Sequence, residues 1–188
     1  MSIKYSFIIR RLLLCQLVLM SAVAPVLADN IRVVIDTGNE TLKVMKGKLV
    51  IKSYDDIAIG RYGATYYKAR GDHKTPLGKF KIGWIKKSNL YYRFIGLNYP
   101  DLPVADRALV DGRIEEPQWQ AIRRASEAGK TPSQSTPLGG YIGIHGLGSG
   151  DAEVHGQYNW TNGCVALTNE QVDQLLKWVK VGTPVEIR

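Results

Sequence analysis

The stretch Thr161-Asn162-Gly163-Cys164-Val165 is the part of the sequence around which we expect the rest of the chain to fold. Cys164 follows a glycine, so little side-chain bulk crowds the approach to its sulfur. The thiolate is the nucleophilic form of cysteine, and a free thiol is mostly protonated at neutral pH. His145 lies 19 residues upstream, at the end of an apolar run typical of a strand, and an imidazole can take that proton. The two residues predict a cysteine–histidine site for acyl transfer.

The first 28 residues have the features of an export signal. Three basic residues and no acidic residue precede residues 12–23, which are almost wholly apolar, and Ala28 is the small residue that a signal peptidase requires. The apolar part is short for a permanent transmembrane helix, and an uncleaved N-terminal anchor is the alternative. We therefore predict cleavage after Ala28, a mature domain of residues 29–188 without a membrane span, and localisation in the periplasm.

Cleavage would leave Cys164 as the one cysteine of the mature chain, because Cys15 lies inside the signal. Exported proteins work in an oxidising compartment, where cysteines are normally paired. A lone thiol there has no intramolecular disulfide open to it, which favours a chemical role. A buried, inert cysteine is the alternative.

The charge of the chain is moderately basic. Removing the signal lowers the formal net charge from +8 to +5, and the excess is spread along the sequence. This balance suits a protein that works near an anionic polymer, and an ordinary soluble surface is the alternative explanation. The sequence has no dense run of Lys and Arg and no helix with base-reading spacing, so we do not expect nucleic-acid binding.

The hydrophobic pattern predicts a mainly β fold with two short helices. The first helix should open at Glu116 with a proline in its first turn and end at Gly129, and the second should follow a capping box at Thr168. The segment between Pro100 and Glu116 is predicted as a polar loop. Strands or extended segments are predicted at residues 31–35, 41–45, 49–51, 57–60, 79–82, 91–99, 141–144 and 185–187. Because no linker divides them, we predict a single β-sandwich domain.

Three motifs occur in an order that is specific when they are taken together. His145-Gly146 is followed, after a spacer of 15 residues, by Thr161-Asn162-Gly163-Cys164-Val165. Thr75-Pro76-Leu77-Gly78-Lys79-Phe80 lies upstream, and Gly182-Thr183-Pro184-Val185 lies near the end. The set resembles the catalytic domain of the L,D-transpeptidases, the YkuD-type enzymes of bacterial cell walls, over nearly the whole predicted mature chain.

The resemblance implies a peptidoglycan stem tetrapeptide as substrate, in which meso-diaminopimelate precedes D-alanine. Cys164 would attack the carbonyl between them, release D-alanine and hold the peptide as a thioester for transfer to an amine. His145 would be the base for the thiol and the acid for the leaving amine. Backbone N–H groups of Asn162, Gly163 and Cys164 are expected to bind the oxyanion, and the Thr161 hydroxyl to brace their turn. No metal or cofactor is expected.

Two positions depart from the family's pattern. Asn162 stands where several members carry a second histidine, and Ala166 stands where many carry an arginine. Because it lacks the arginine, the chain resembles a divergent branch of the family that includes hydrolytic members. A carboxypeptidase or amidase with water as acceptor is therefore the alternative enzyme, and a non-catalytic wall-binding module is the alternative outside the enzymes.

Other residues near the motif have competing interpretations. His155 could replace His145 as base, although its setting is typical of a solvated loop, and His73 is predicted to be a loop residue. Trp160 could line the substrate groove or pack in the core. A metal site made of His145, His155 and Cys164 would match no closed zinc pattern.

Overall fold

The computed structural model describes residues 30–188. The predicted signal and its cleavage point lie outside these residues. Among them, no helix is long and apolar enough to cross a membrane. The elements, in chain order, are β1 Ile31–Asp36, β2 Thr41–Lys46, β3 Leu49–Tyr54, β4 Ala64–Thr65, β5 Thr75–Pro76, β6 Gly78–Ser88, β7 Tyr92–Leu97, α1 Leu102–Val110, α2 Glu116–Glu127, β8 Gly143–His145, α3 Ala152–Gln157, β9 Val165–Ala166, α4 Asn169–Leu175 and β10 Pro184–Ile187.

Eight of the strands form one hydrogen-bonded series in the order β3-β2-β1-β10-β6-β7-β8-β9. The pairs β1–β10 and β8–β9 are parallel, and the other neighbours in the series are antiparallel. β-branched residues in β1 and alternation in β2 favour extended backbone, as the sequence predicted. In this order the last strand of the chain, β10, lies inside the series, between β1 and β6.

The long strand β6 joins the two halves of the series. Its first part pairs with β10 and its second part with β7, and the register shifts between Ile82 and Trp84. Residues 57–60, which were predicted to be a strand, make only isolated bridges: Ala58 pairs with Ala166, and Gly60 pairs with Thr161. These bridges attach a distant part of the chain to both sides of Cys164.

The described residues contain four helices, whereas the sequence predicted two. Both predicted helices are present: α2 ends before Gly129, which has φ +65°, and α4 is preceded by the Thr168 capping box. The prediction of a polar loop after Pro100 was wrong, because Asp101 caps α1 by accepting a hydrogen bond from the Val104 N–H at 3.2 Å. The prediction of a solvated loop around His155 was also wrong, because that residue lies in α3 and is buried.

One hydrophobic core lies between the elements, and both halves of the strand series contribute to it. The mainly β, single-domain fold predicted from the sequence is thus confirmed. Fully buried side chains from the two halves and from the helices include Ile35, Leu42, Ile82, Ile95, Leu97, Ile122, Ile144 and Leu175. Burial on both faces holds the short strands β8 and β9 in place, and these strands carry the predicted site.

Candidate active site

The parallel pair β8–β9 brings the predicted nucleophile and base to the same face. Its register sets His145 opposite Ala166 and Ile144 opposite Val165. Extended by one residue, the register sets Cys164 opposite Gly143. Opposite residues project to the same face, and so do residues two apart along a strand. Cys164 and His145 are therefore diagonal neighbours on one face of the pair.

Gly143 is required at its position because a side chain there would collide with β7. A Cβ added to it would lie 2.6 Å from the carbonyl oxygen of Ile95 and 2.8 Å from Cζ of Phe94. The missing side chain lets β8 pack closely on β7. It also means that the residue directly opposite Cys164 has no side chain to cover the sulfur. The sequence motif contains no sign of this requirement.

The thiol of Cys164 is partly enclosed. Its Sγ–H donates to the carbonyl oxygen of Tyr141 at 3.3 Å. Burial raises the pKa of the thiol to about 11, while the backbone of Gly143 and the charge of Lys68 act in the opposite direction. The resting form at neutral pH is therefore the protonated thiol, which requires a base for attack.

His145 is held as a neutral base. The ring is 2% exposed, and its Nδ1 lies 2.8 Å from the carbonyl oxygen of Gly146. Because a carbonyl can only accept, Nδ1 carries the proton, and Nε2 of the neutral ring keeps its lone pair. Burial lowers the pKa of His145, although the hydrogen bond to Gly146 acts in the opposite direction. The imidazole is thus unprotonated at Nε2 and ready to accept a proton.

Aromatic rings fix the orientation of this imidazole. Tyr91 lies 4.2 Å from it between ring centroids, and Phe94 stacks on it at 6.2 Å with an interplanar angle of 11°. Trp160 meets the imidazole edge-on at 5.8 Å. With Nδ1 tied to the backbone and rings packed around it, His145 has little freedom to rotate away from the face that it shares with Cys164.

The turn before Cys164 is closed by Thr161. The Thr161 hydroxyl donates to the carbonyl oxygen of Cys164 at 2.7 Å and accepts from the Gly163 N–H at 3.1 Å. Gly163 has φ +124°, and an added Cβ would lie 2.6 Å from the carbonyl oxygen of Lys74. Since the Gly163 N–H is already engaged, the N–H groups of Asn162 and Cys164 are the better candidates for an oxyanion hole.

A groove of about 390 Å³ opens beside the sulfur. One wall comes from β6 and β7 and the turn between them, and the other comes from the segments that precede β8 and β9. The lining residues are Lys86, Ser88, Leu90, Tyr91, Phe94, Gly140, Tyr141, Ile142, Asn162 and Cys164. The groove combines apolar and aromatic surface with one ammonium group, so it suits a peptide that carries a carboxylate.

Residues 30–187 match the sequence profile of the YkuD family, described as the L,D-transpeptidase catalytic domain. The chain belongs to this family. The match covers almost all of the described residues, including every segment that forms the site. No curated protein shows significant sequence similarity to the chain.

Solved structures share the fold of this L,D-transpeptidase domain. The helical cell shape determining protein Pgp2 from Campylobacter jejuni is similar with a TM-score of 0.57 and 22% identity, over 84% of this chain and 47% of that one. Bd1075 from Bdellovibrio bacteriovorus is similar with a TM-score of 0.51 and 21% identity, over 85% of this chain and 48% of that one. The chain spans about half the length of these two structures.

The two departures from the motif of the L,D-transpeptidases have different environments. Asn162 is exposed, and its Oδ1 accepts a hydrogen bond from Nη2 of Arg61 at 2.6 Å. A cation is thus held at the position where several members carry a second histidine. Ala166 is fully buried and is hydrogen-bonded through its backbone to Ala58.

Neither Trp160 nor His155 is among the residues that line the groove of this L,D-transpeptidase domain. Trp160 does not line the groove; it packs on His145, and its Nε1–H donates to Nδ1 of His155 at 3.4 Å. His155 is 5% exposed, and its Nε2 has no hydrogen-bond partner among residues 30–188. Burial lowers its pKa. His155 therefore supports Trp160, while His73 lies in a loop as predicted.

Sequence reasoning missed several residues that shape the site of this L,D-transpeptidase domain. Phe94 and Tyr91 lie in a segment predicted only as aromatic and extended, and their contact with His145 depends on the pairing of β7 with β8. Lys68 lies outside the predicted strands and helices, yet it is 4% exposed. Within residues 30–188, no three His, Cys, Asp or Glu side chains converge as a metal site would require.

Proposed function

We propose that the protein is an exported L,D-transpeptidase that acts on peptidoglycan stem peptides. The observation that carries the proposal is the shared face of the β8–β9 pair, where the Cys164 thiol opens on a groove and His145 presents an unprotonated Nε2. Family membership supports the same reaction class. The export signal and the periplasmic location belong to the proposal, since the cell wall lies outside the cytoplasm.

The first half-reaction makes a thioester. As the sulfur of Cys164 bonds to the diaminopimelate carbonyl carbon of the amide to D-alanine, the thiol proton passes to Nε2 of His145. The tetrahedral intermediate then collapses, the carbon–nitrogen bond breaks, and the imidazolium returns the proton to the amine of the leaving D-alanine. The enzyme is left with an acylated sulfur and a neutral imidazole.

The second half-reaction reverses these roles. An amine acceptor gives a proton to His145 as its nitrogen bonds to the thioester carbon, and the carbon–sulfur bond breaks to restore the thiol. The product is a cross-linked peptide or a protein attached to the wall. The N–H groups of Asn162 and Cys164 would stabilise the oxyanion in both halves, with the turn kept rigid by Thr161.

Charge in the groove fits the donor. Lys86 lines the groove, and its Nζ lies 5.8 Å from the ring centroid of Phe94. Arg61, bonded to Asn162, places a second cation near the nucleophile. Diaminopimelate and D-alanine both carry carboxylates, so two fixed cations beside an apolar groove would favour such a peptide over a neutral one.

The test is incubation of the protein with disaccharide-tetrapeptides, followed by mass spectrometry of the products. Cross-linked dimers are expected, together with a Cys164 acyl adduct when a carbapenem is supplied. Cys164→Ala should abolish both, and His145→Ala should slow both by a factor of about 10² to 10⁴, whereas the matched variant His155→Ala should retain them in its folded fraction. Loss only in His155→Ala would overturn the assignment of the base.

Two other outcomes would redirect the proposal. Tripeptides without dimers would indicate water as acceptor, the hydrolytic activity suggested by alanine at position 166. If Cys164→Ala left products and wall binding unchanged, the thiol would have no catalytic role, and a wall-binding module would be the remaining interpretation.

A further inference from the structure

A buried lysine lies beside the catalytic turn, and the transpeptidase reaction as described gives it no role. Lys68 is 4% exposed, forms an ion pair with Asp72, and its Nζ also donates to the carbonyl oxygen of Ala69 at 3.3 Å. Removing an ammonium group from water is unfavourable unless it is paired and hydrogen-bonded. Lysine is among the residues that are rarely buried, so its position requires a reason.

The stem of this lysine packs against the turn that carries the nucleophile. Its Cε lies 3.3 Å from the position that a Cβ on Gly163 would occupy, and 3.8 Å from the corresponding position on Gly139. Gly163 directly precedes Cys164. Gly139 lies two residues before Tyr141, whose carbonyl oxygen accepts the hydrogen bond of the thiol. Lys68 thus contacts both segments that hold the sulfur.

Asp72 keeps the lysine in place. Its carboxylate accepts from the N–H groups of Ala69 at 2.8 Å and of Lys74 at 3.0 Å, in addition to pairing with Lys68. Burial raises the pKa of Asp72, but these three hydrogen bonds outweigh it and the pKa is lowered. The carboxylate is therefore ionised, and the loop around it fixes one end of the lysine.

We propose that Lys68 is a positioning residue whose ammonium group, anchored by Asp72, supplies a fixed positive charge that stabilises the Cys164 thiolate as it forms. This inference rests on the proposed function, because only a nucleophilic Cys164 gives that charge a chemical role. The charge of Lys68 has the required sign, since it lowers the pKa of Cys164 against the effect of burial.

Other groups near the sulfur must be held constant in a test. The charged or titratable groups that face it or its turn include His145 of β8, Lys86 of β6, Arg61 on Asn162, the pair of Lys68 and Asp72, and the phenols of Tyr91 and Tyr141 that line the groove. A purely structural ion pair and an electrostatic one differ in a measurable way. Removing either partner would loosen the loop in both cases, but only the electrostatic role shifts thiol reactivity in opposite directions.

The experiment measures alkylation of Cys164 by iodoacetamide as a function of pH, with the modified peptide identified by mass spectrometry. Below the pKa of the thiol, the rate is proportional to the thiolate fraction. Lys68→Met should slow alkylation about tenfold, the effect of one pKa unit. Lys68→Arg should restore most of the rate, and Asp72→Asn should increase it, because the lysine charge is then uncompensated. Lys81→Met, at an exposed lysine of β6, is the control for loss of one charge and should change nothing.

The results separate this inference from the proposed function. An unchanged rate in folded Lys68→Met, or slower alkylation in Asp72→Asn, would overturn the inference. If Lys68→Met does not fold, faster alkylation in Asp72→Asn supports the inference and an unchanged or slower rate refutes it. Alkylation needs no wall substrate, so it can be measured whether or not the protein acts on peptidoglycan. If the two variants shift the alkylation rate in opposite directions but the protein produces neither dimers nor tripeptides, the transpeptidase proposal is refuted. The effect of Lys68 on the thiol would still be established.

Discussion

Burial acts on Cys164 and His145 so that each favours its neutral form. It raises the pKa of the thiol to about 11 and lowers the pKa of the imidazole. A preformed ion pair of thiolate and imidazolium is therefore disfavoured in the resting site. In the proposed reaction, proton transfer therefore has to accompany attack on the carbonyl, when the negative charge moves from sulfur to the oxyanion.

The pH dependence of acylation follows from this arrangement. As the pH falls through 6.5, the usual pKa of histidine, the acylation rate should hold, and it should decline only further into acid as His145 takes up its proton. The measurement is the rate of the carbapenem adduct on Cys164 across pH. His145→Ala should lower the rate by a factor of about 10² to 10⁴ and remove this acid limb. A decline that begins above 6.5 would contradict a neutral, buried base.

Gly163 is expected to tolerate no side chain. Gly163→Ala would put a residue with a Cβ at φ +124° and press it against the carbonyl oxygen of Lys74. Strain of this kind costs about 1–3 kcal/mol and would displace Cys164. We expect a lower urea midpoint and almost no acylation of the folded fraction. Gly156→Ala is the matched control, because a Cβ there meets open space in α3; equal losses in the two variants would refute the argument.

At the scale of elements, the register of β8 and β9 creates the site. One residue of slip would move His145 to the opposite face from Cys164, since side chains alternate along a strand. The isolated bridges of Ala58 and Gly60 oppose such a slip by pairing with residues on both sides of Cys164. The geometry of the proposed catalytic pair is therefore a property of strand pairing as much as of the two side chains.

The sequence predicted β2, β6 and β10 because one face of each is buried, which produces a period of two. It predicted α2 and α4 because their caps stand in the sequence. It missed α1, where Pro103 suggested a loop but Ala105 and Ala108 pack in the core. It missed α3 because six residues give too little periodicity. Lys68 could not be predicted as buried, because only the tertiary pairing of its loop with the catalytic turn encloses it.

The cap of α1 allows a test of buried charge. Burial raises the pKa of Asp101 to about 6 from 3.8. The carboxyl group is thus harder to ionise in the folded state than in the unfolded state. The folded protein therefore loses stability as the pH rises from 3.8 through about 6. Asp101→Asn keeps a side-chain oxygen for the cap without the charge. Its unfolding free energy should exceed that of the parent by about 3 kcal/mol at neutral pH and converge with it in acid, as measured by urea denaturation. A destabilised variant at neutral pH would show that the carboxylate itself is required.

At the scale of the whole molecule, β10 connects the two halves of the strand series. It pairs with β1 on one side and with β6 on the other, so residues far apart in sequence meet around it. Val185 is 1% exposed and lies opposite Val33 in one neighbour and Phe80 in the other. The site on β8–β9 therefore depends on a strand that contributes no residue to it.

This dependence predicts a single cooperative unit. Val185→Ala should lower the unfolding free energy by about 2 kcal/mol, because it leaves a cavity between the neighbours of β10. Hydrogen exchange under conditions of global opening should show the same loss of protection in β2 and in β8, and the urea midpoint should fall accordingly. Glu186→Ala, one residue along the same strand and half-buried, should change the free energy by no more than about 0.5 kcal/mol. If protection fell in β2 while β8 kept its own, the two halves would unfold separately, and the catalytic face would be stabilised by its local strands alone.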